Sequence, residues 1–215
     1  MRKVLLRWLS GRCGKMLKLT KVALLVGLAC GWMITAQNAH ARDVTIKQVT
    51  KGYYISGRTA GEFARSMSSK GPYSFQHRRR AWATAARDLS YQLIRTKSRN
   101  RCKVKNAKVT LKITYTMPKL KASKGISARE RRKWRKMYNL LNKHEKKHGR
   151  FYQQLANRVH KALKRLPSAR TCQQLERNAS KVVNSLSVAD LKRNDAFDNR
   201  DRKNYRRMAR IYRGS

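Results

Sequence analysis

Between residues 107 and 117 the chain alternates without a break. Ala107, Val109, Leu111, Ile113, Tyr115 and Met117 fall on one side, and Lys108, Thr110, Lys112, Thr114 and Thr116 on the other. A period of two marks a strand, here half-buried and antiparallel, with its apolar face on a core. Pro118 is expected to end it. Upstream, the segment from Ala81 to Arg95 alternates at Leu89, Tyr91 and Leu93 and reads as another strand. Residues 43–56, DVTIKQVTKGYYIS, alternate less cleanly and predict one or two short strands. Between these, Thr59 and Glu62 form a capping box, so a short helix is expected to about Ser69, stopped by SKGP.

Beyond residue 127 the period changes. Ser127 and Glu130 form a second capping box. Trp134, Met137, Tyr138, Leu141, Phe151, Tyr152, Leu155, Val159 and Leu163 then recur at threes and fours, the stripe of a long amphipathic helix ending before Pro167. A third box, Thr171 with Gln174, opens a helix carrying Cys172, Leu175, Val182, Val183 and Leu186. From Lys192 the sequence is basic and poor in apolar residues, and reads as a tail. Strands first and helices after predict an α+β fold: N-terminal antiparallel strands with a short helix, then a long helix packed antiparallel with a second one. A single domain is expected over residues 42–204, with a basic tail over 205–215.

Residues 1–41 have a different grammar. Lys18 and Lys21 precede the apolar run VALLVGLACGWMITA, which gives way to small residues at Ala39 and Ala41. This is the layout of a secretory signal peptide cleaved after Ala41, with Met16 as a more ordinary start. The run is too short for a comfortable membrane span, so no transmembrane segment is expected after cleavage. GLACG around Cys30 raises a lipid anchor, but Gly27 stands where such a motif takes a bulky aliphatic. A periplasmic or secreted protein is the expectation.

Charge and cysteine usage refine it. The 215 residues carry 54 Lys and Arg against 10 Asp and Glu, a formal charge of +44. Seven of the basic residues and no acid lie in residues 1–41, so their removal leaves 47 against 10, or +37. Such a surface favours anionic envelope components such as lipopolysaccharide. Export, and the lack of interleaved surface aromatics, argue against nucleic acid. Cys102 and Cys172 remain after cleavage, and one pair in an oxidising compartment predicts a disulfide.

The long helix contains His144-Glu145-Lys146-Lys147-His148. Residues four apart lie about 6 Å along a helix and about 40° around it, so both imidazoles can hold one ion. Glu145 lies beside them, where a carboxylate can take a proton from water. The histidines continue the apolar stripe and are expected to face the sheet. Lys146 and Lys147 are expected to snorkel outward. Zinc requires a third protein ligand. His160 lies about 18 Å further along the same helix, out of reach. Glu176 on the next helix and Asp195, Asp198 and Asp201 in the acidic cluster NDAFDNRD are the candidates, and His77 is a weaker choice. Tyr152 or Tyr205 is positioned to stabilise an oxyanion.

The ordered set YYISGRTAGEFARSMSSKGP, Trp82 with Thr84, Cys102 before a strand ending near Pro118, Trp134, HEKKH and Cys172 resembles one bacterial family. It is the family of predicted secreted zinc-dependent proteases, grouped as domain of unknown function family 922. The similarity spans about residues 43–204. It implies an exported, cysteine-bridged, metallopeptidase-like domain that takes Zn2+, with His144 and His148 as ligands, Glu145 as general base and an envelope protein or peptide as substrate. The family's closing segment reads Tyr-Asp-x-x-Thr-x-His-Gly. Here Asp198 matches, while Asp201, Lys203 and Asn204 stand at the threonine, histidine and glycine positions. If that histidine is the family's third ligand, Asp198 or Asp201 must replace it; the resemblance makes Asp198 the leading candidate, with Asp201 and Glu176 the alternatives. Two functions are therefore expected: peptide-bond hydrolysis in the envelope, or a catalytically impaired cationic protein that binds polyanions.

Overall fold

A computed structural model describes residues 43–74, 78–121 and 125–213. The expectations for the leader, Met16, Cys30 and His77 lie outside the described residues. Eight elements follow in order: β1 (Val44–Ile55), α1 (Ala60–Lys70), β2 (Tyr73–Ser74), β3 (Arg79–Arg80), β4 (Thr84–Ser98), β5 (Arg101–Leu120), α2 (Ala128–Lys164) and α3 (Cys172–Arg213). The α+β class holds.

β5 is the central strand of a sheet ordered β1-β5-β4. It pairs antiparallel with β4 across the turn at Arg99 and Asn100, as the alternation predicts. β1 departs from expectation twice. It is one unbroken strand of 12 residues, and it runs parallel to β5 in register from Val44↔Val109 to Ile55↔Leu120. Parallel pairing requires a long crossover, and the chain from α1 to β4 supplies it.

Pro118 does not end β5, which continues to Leu120. The reason lies in the ladder. Val109 and Lys121 donate their N–H groups to Asp43 and Ile55, so the odd residues of β5 face β1. The even position 118 therefore faces the β4 side, where pairing stops at Thr84↔Thr116. A residue without an N–H loses nothing there.

The six alternating residues of β5, from Ala107 to Met117, are all buried. α2 lies across them, contributing Met137, Leu141, Leu155, Val159 and Leu163 to one core with Phe63 and Met67 of α1. Glu130 in the first turn of α2 accepts from the Ala60 N–H at 2.6 Å, tying the starts of α1 and α2 together. Among the described residues no helix is long and apolar enough to cross a membrane.

The expected tail is not a tail. α3 is a single helix of 42 residues that includes positions 205–213, and Met208 near its end is 3% exposed. Contacts from α2 to α3 pair His144 with Asp201, His148 with Asn194 and Arg158 with Asp190, so the two helices are antiparallel. The sequence hid this because the inward stripe of α3 is largely polar. Cys102 and Cys172 are disulfide-bonded, and Cys102 and Ala169 exchange backbone hydrogen bonds of 2.8 and 3.0 Å beside the bridge. The start of α3 is thereby fixed to the start of β5.

Candidate metal centre

The middle of α2 presents three polar residues to the interior: His144, Glu145 and His148 are 8, 5 and 7% exposed. Their directions differ from expectation. Glu145 turns to the sheet, where the backbone N–H of Ala85 in β4 bonds its carboxylate. The histidines turn instead to α3, because that helix continues far enough to cover them. Glu145 and the histidines divide one helical face between two neighbours.

His144 Nε2 and His148 Nε2 are 3.0 Å apart, and Asp198 Oδ1 lies 3.1 Å from the first and 3.0 Å from the second. These three ligand atoms form a nearly equilateral triangle. Bonds of about 2.0–2.1 Å to one tetrahedral ion would set such atoms about 3.3 Å apart. Residues His144, His148 and Asp198 thus form a group able to hold a metal ion.

The outer nitrogens decide what the inner ones offer. His144 Nδ1 is 2.7 Å from Asp201 Oδ2, and a carboxylate only accepts, so Nδ1 carries the proton. His148 Nδ1 is 2.6 Å from Asn194 Oδ1 and donates to it. Each neutral ring then points an unprotonated Nε2 into the triangle, opposite a carboxylate oxygen. Three acceptors within about 3 Å repel one another unless a proton or a metal ion lies among them, and the donor set fits a divalent ion. Four of the ten acids, Glu145, Asp190, Asp198 and Asp201, gather around this cluster in an otherwise basic chain.

Titration follows the same logic. For both histidines burial favours the neutral form, but the hydrogen bonds and charges of Asp198 and its neighbours outweigh it and raise the pKa. Burial opposes the Asp198 carboxylate as well, yet the two imidazoles hold its pKa well below the usual range. Glu145 is pushed up by burial against the partial opposition of His144 and His148. A carboxyl with a raised pKa is suited to accepting and returning a proton near neutrality.

Aromatic rings close the site. Phe197 stacks on His144 at 4.9 Å and meets His148 and Phe151 edge-on at 5.1 and 5.7 Å. The Tyr205 hydroxyl lies 3.1 Å from His144 Nε2, while the residue remains 41% exposed. Tyr152, the other tyrosine of interest, donates instead to the Ala85 carbonyl at 3.1 Å, and burial pushes its pKa up to about 12. Tyr205 is therefore the tyrosine at the cluster.

The remaining candidates separate cleanly. Asp201 touches the outer nitrogen of His144 and not the triangle. Glu176 pairs with Arg95 of β4 at 3.0 Å, near the start of α3 and about 33 Å along that helix from Asp198. Asp195 is on α3 but not among the three converging groups. Lys203, at the family's histidine position, is exposed. Asn194, Asp190, Arg87 and Phe197 were not singled out by sequence. A signal existed: Asp190, Asn194, Asp198, Asp201 and Tyr205 recur at fours and threes, a polar stripe visible only once the segment is treated as helix.

The fold and site define a class: an α+β domain in which two antiparallel helices enclose a His–His–Asp cluster beside a buried glutamate. The chain belongs to the family described as bacterial protein of unknown function (DUF922), whose profile matches residues 50–204. The match includes the two histidines, Glu145, both cysteines and Asp198. No curated protein and no solved structure matches the chain.

Proposed function

We propose that this protein is an exported zinc-dependent metallopeptidase that hydrolyses peptide bonds in the cell envelope. His144, His148 and Asp198 would hold the ion, and Glu145 serves as the general base. One observation carries the reading: three buried acceptor atoms meet at 3.0–3.1 Å, with both outer imidazole nitrogens already occupied. Two imidazoles and one carboxylate suit zinc rather than calcium or magnesium, which prefer all-oxygen shells. Bound there, zinc supplies a Lewis acid that polarises a carbonyl and acidifies water.

The chain's own residues do the rest. Asp201 and Asn194 hold the two rings so that their Nε2 lone pairs converge. Glu145, with its pKa raised by burial, takes a proton at its carboxylate from the attacking water and returns it to the departing amine. Tyr205 brings a hydroxyl to the exposed side of the cluster, where it can donate to the oxygen that gains charge. Phe197 keeps bulk water from the inner faces of both imidazoles.

Zinc per chain, measured by elemental analysis on the purified protein, tests the site. We expect one equivalent in the wild type, loss in His144→Ala, and retained zinc without peptide hydrolysis in Glu145→Gln. No zinc in the wild type after reconstitution with excess metal would sink the proposal. A second reading, binding of envelope polyanions, is supported by Lys47, Lys51, Lys108 and Lys112, which are all exposed on the sheet face away from α2. Affinity for lipopolysaccharide that falls steeply with salt and survives His144→Ala would favour it.

A further inference from the structure

The two histidines of the cluster are held by unlike partners, and the difference has a chemical consequence. His144 Nδ1 meets the carboxylate of Asp201, which accepts whichever oxygen it presents. His148 Nδ1 meets an amide, Asn194, which offers an acceptor at one end and donors at the other. If that amide turned over, it would present N–H to Nδ1. The ring proton would then move to Nε2, where it blocks the lone pair that faces His144 and Asp198.

Something must therefore fix the end of Asn194 that faces the ring, and the fold supplies it. Asn194 Nδ2 donates to the Asp190 carbonyl at 2.7 Å and to the Asp190 carboxylate Oδ2 at 3.2 Å. A reversed amide would place its oxygen against two acceptors, which is repulsive in a buried setting. Asp190 is 0% exposed and is held in turn by Arg87 of β4, whose NH1 donates to Oδ2 at 2.8 Å and whose NH2 donates to the Ser187 carbonyl at 3.4 Å. Arg158 of α2 approaches the other carboxylate oxygen at 3.8 Å. The Arg87 guanidinium also lies over the Tyr152 ring at 5.4 Å, and that ring stacks on His148 at 6.5 Å. Strand β4, α2 and α3 all contribute to one chain of contacts ending at a single imidazole nitrogen.

We infer that Asn194 is a positioning residue that holds His148 in its Nδ1–H tautomer, and that Asp190, anchored by Arg87, sets the direction of the Asn194 amide. The inference deepens the metal-centre reading and rests on it for its consequence, metal affinity, though not for the tautomer itself. A carboxylate at position 194 still accepts from Nδ1, although its second oxygen would meet the two Asp190 acceptors that now receive Nδ2, whereas an apolar side chain of similar size offers no acceptor.

The test uses the full chain in three forms: wild type, Asn194→Asp and Asn194→Leu. Imidazole 15N shifts of the metal-free protein at about pH 9, above the ordinary histidine range, report the tautomer. Competition titration with Co2+ or Zn2+ reports affinity. We expect the Nδ1–H tautomer in the wild type and in Asn194→Asp, which keeps an acceptor for Nδ1 and is less stable because its second oxygen faces Asp190. Asn194→Leu should shift His148 toward Nε2–H and lose about 10- to 100-fold in affinity, the usual cost of removing a partner that orients a metal-binding histidine. An Nε2–H tautomer in the wild type overturns the inference without any variant, and so the test survives if Asn194→Leu fails to fold. Wild-type tautomer and affinity in a folded Asn194→Leu also overturn it. A wild type that takes up neither metal refutes the metal-centre reading instead, and the tautomer then decides this inference alone.

Discussion

Gly149 follows His148 directly, and its lack of a side chain is needed by the sheet rather than by the helix. A Cβ at this position would overlap the Tyr115 hydroxyl and sit 2.9 Å from Cζ and 3.2 Å from Cε1 of the same ring. Tyr115 is 2% exposed, and its hydroxyl donates to Gln48 Oε1 on β1 at 3.2 Å, so the ring has nowhere to move. Overpacking of this kind costs about 3 kcal/mol at the upper end of its usual range. Alanine recovers about 1 kcal/mol through helix propensity, which leaves Gly149→Ala destabilised by about 2 kcal/mol. Tyr115→Phe alone should cost about 1 kcal/mol for the lost hydrogen bond. The double variant removes the worst overlap and keeps the helix gain, so its total should be about 1 kcal/mol rather than the additive 3, a coupling of about 2 kcal/mol. Urea denaturation followed by circular dichroism gives all four corners of the cycle. Melting temperatures should move by about 2–4 °C per kcal/mol for a chain of this size. Additivity within about 0.5 kcal/mol would refute the claim that the Tyr115 hydroxyl is what excludes a side chain at 149.

The cluster makes a prediction about pH with opposite signs for the two metal states. Raised histidine pKa values contribute stability that is complete below their unfolded value of about 6.5 and lost as pH rises through the folded values; the lowered Asp198 contributes above about 3.9 and is lost as pH falls. Metal-free protein should melt highest between about pH 4 and 6.5, whereas the increment added by zinc should grow with pH as protons cease to compete; a metal-free melting temperature that climbs from about pH 6 to 8 would contradict this. Reduction of the Cys102–Cys172 bridge, which spans 70 residues, should lower stability by up to about 4 kcal/mol, seen as a shifted urea midpoint with reductant, and an unmoved midpoint would show that the bridge adds nothing. Lys203→His should bind no more zinc than the wild type, because position 203 is exposed on α3; a second equivalent, or tighter binding of the first, would count against the placement of that helix.

What was legible in the sequence was whatever repeated with a clean period or followed a strong cap. The buried face of β5, the starts of all three helices and the apolar stripe of α2 were each readable from residue spacing alone. The division between Glu145 and the histidines was not, because a stripe reports which residues are inward but not which neighbour they meet. β1 resisted for a different cause. Most of its residues are exposed on both faces, so burial imposes no alternation on its sequence. The last third of α3 was missed because its inward residues are acids and amides, which an apolar template scores as solvent-facing. The one acid favoured by the resemblance, Asp198, does lie within the triangle, while Asn194 and Asp190, whose roles depend on direction rather than type, carried no mark.

The parallel pairing of β1 has a consequence for how the molecule acquires its shape. Val44 meets Val109, 65 positions later, whereas the β4–β5 hairpin closes between Ser98 and Arg101. The hairpin is a local event, and closing the longer loop must wait for it, so the segment synthesised first is the last to lock into the sheet. Until then the flank of β5 that will receive β1 is an open row of donors and acceptors, the kind of edge along which unfinished chains join one another. Lys108, Lys112 and Lys119 project along that strand, all three from residues exposed even in the finished fold. Mutual repulsion between nascent copies is thus built into the strand that would otherwise seed their aggregation.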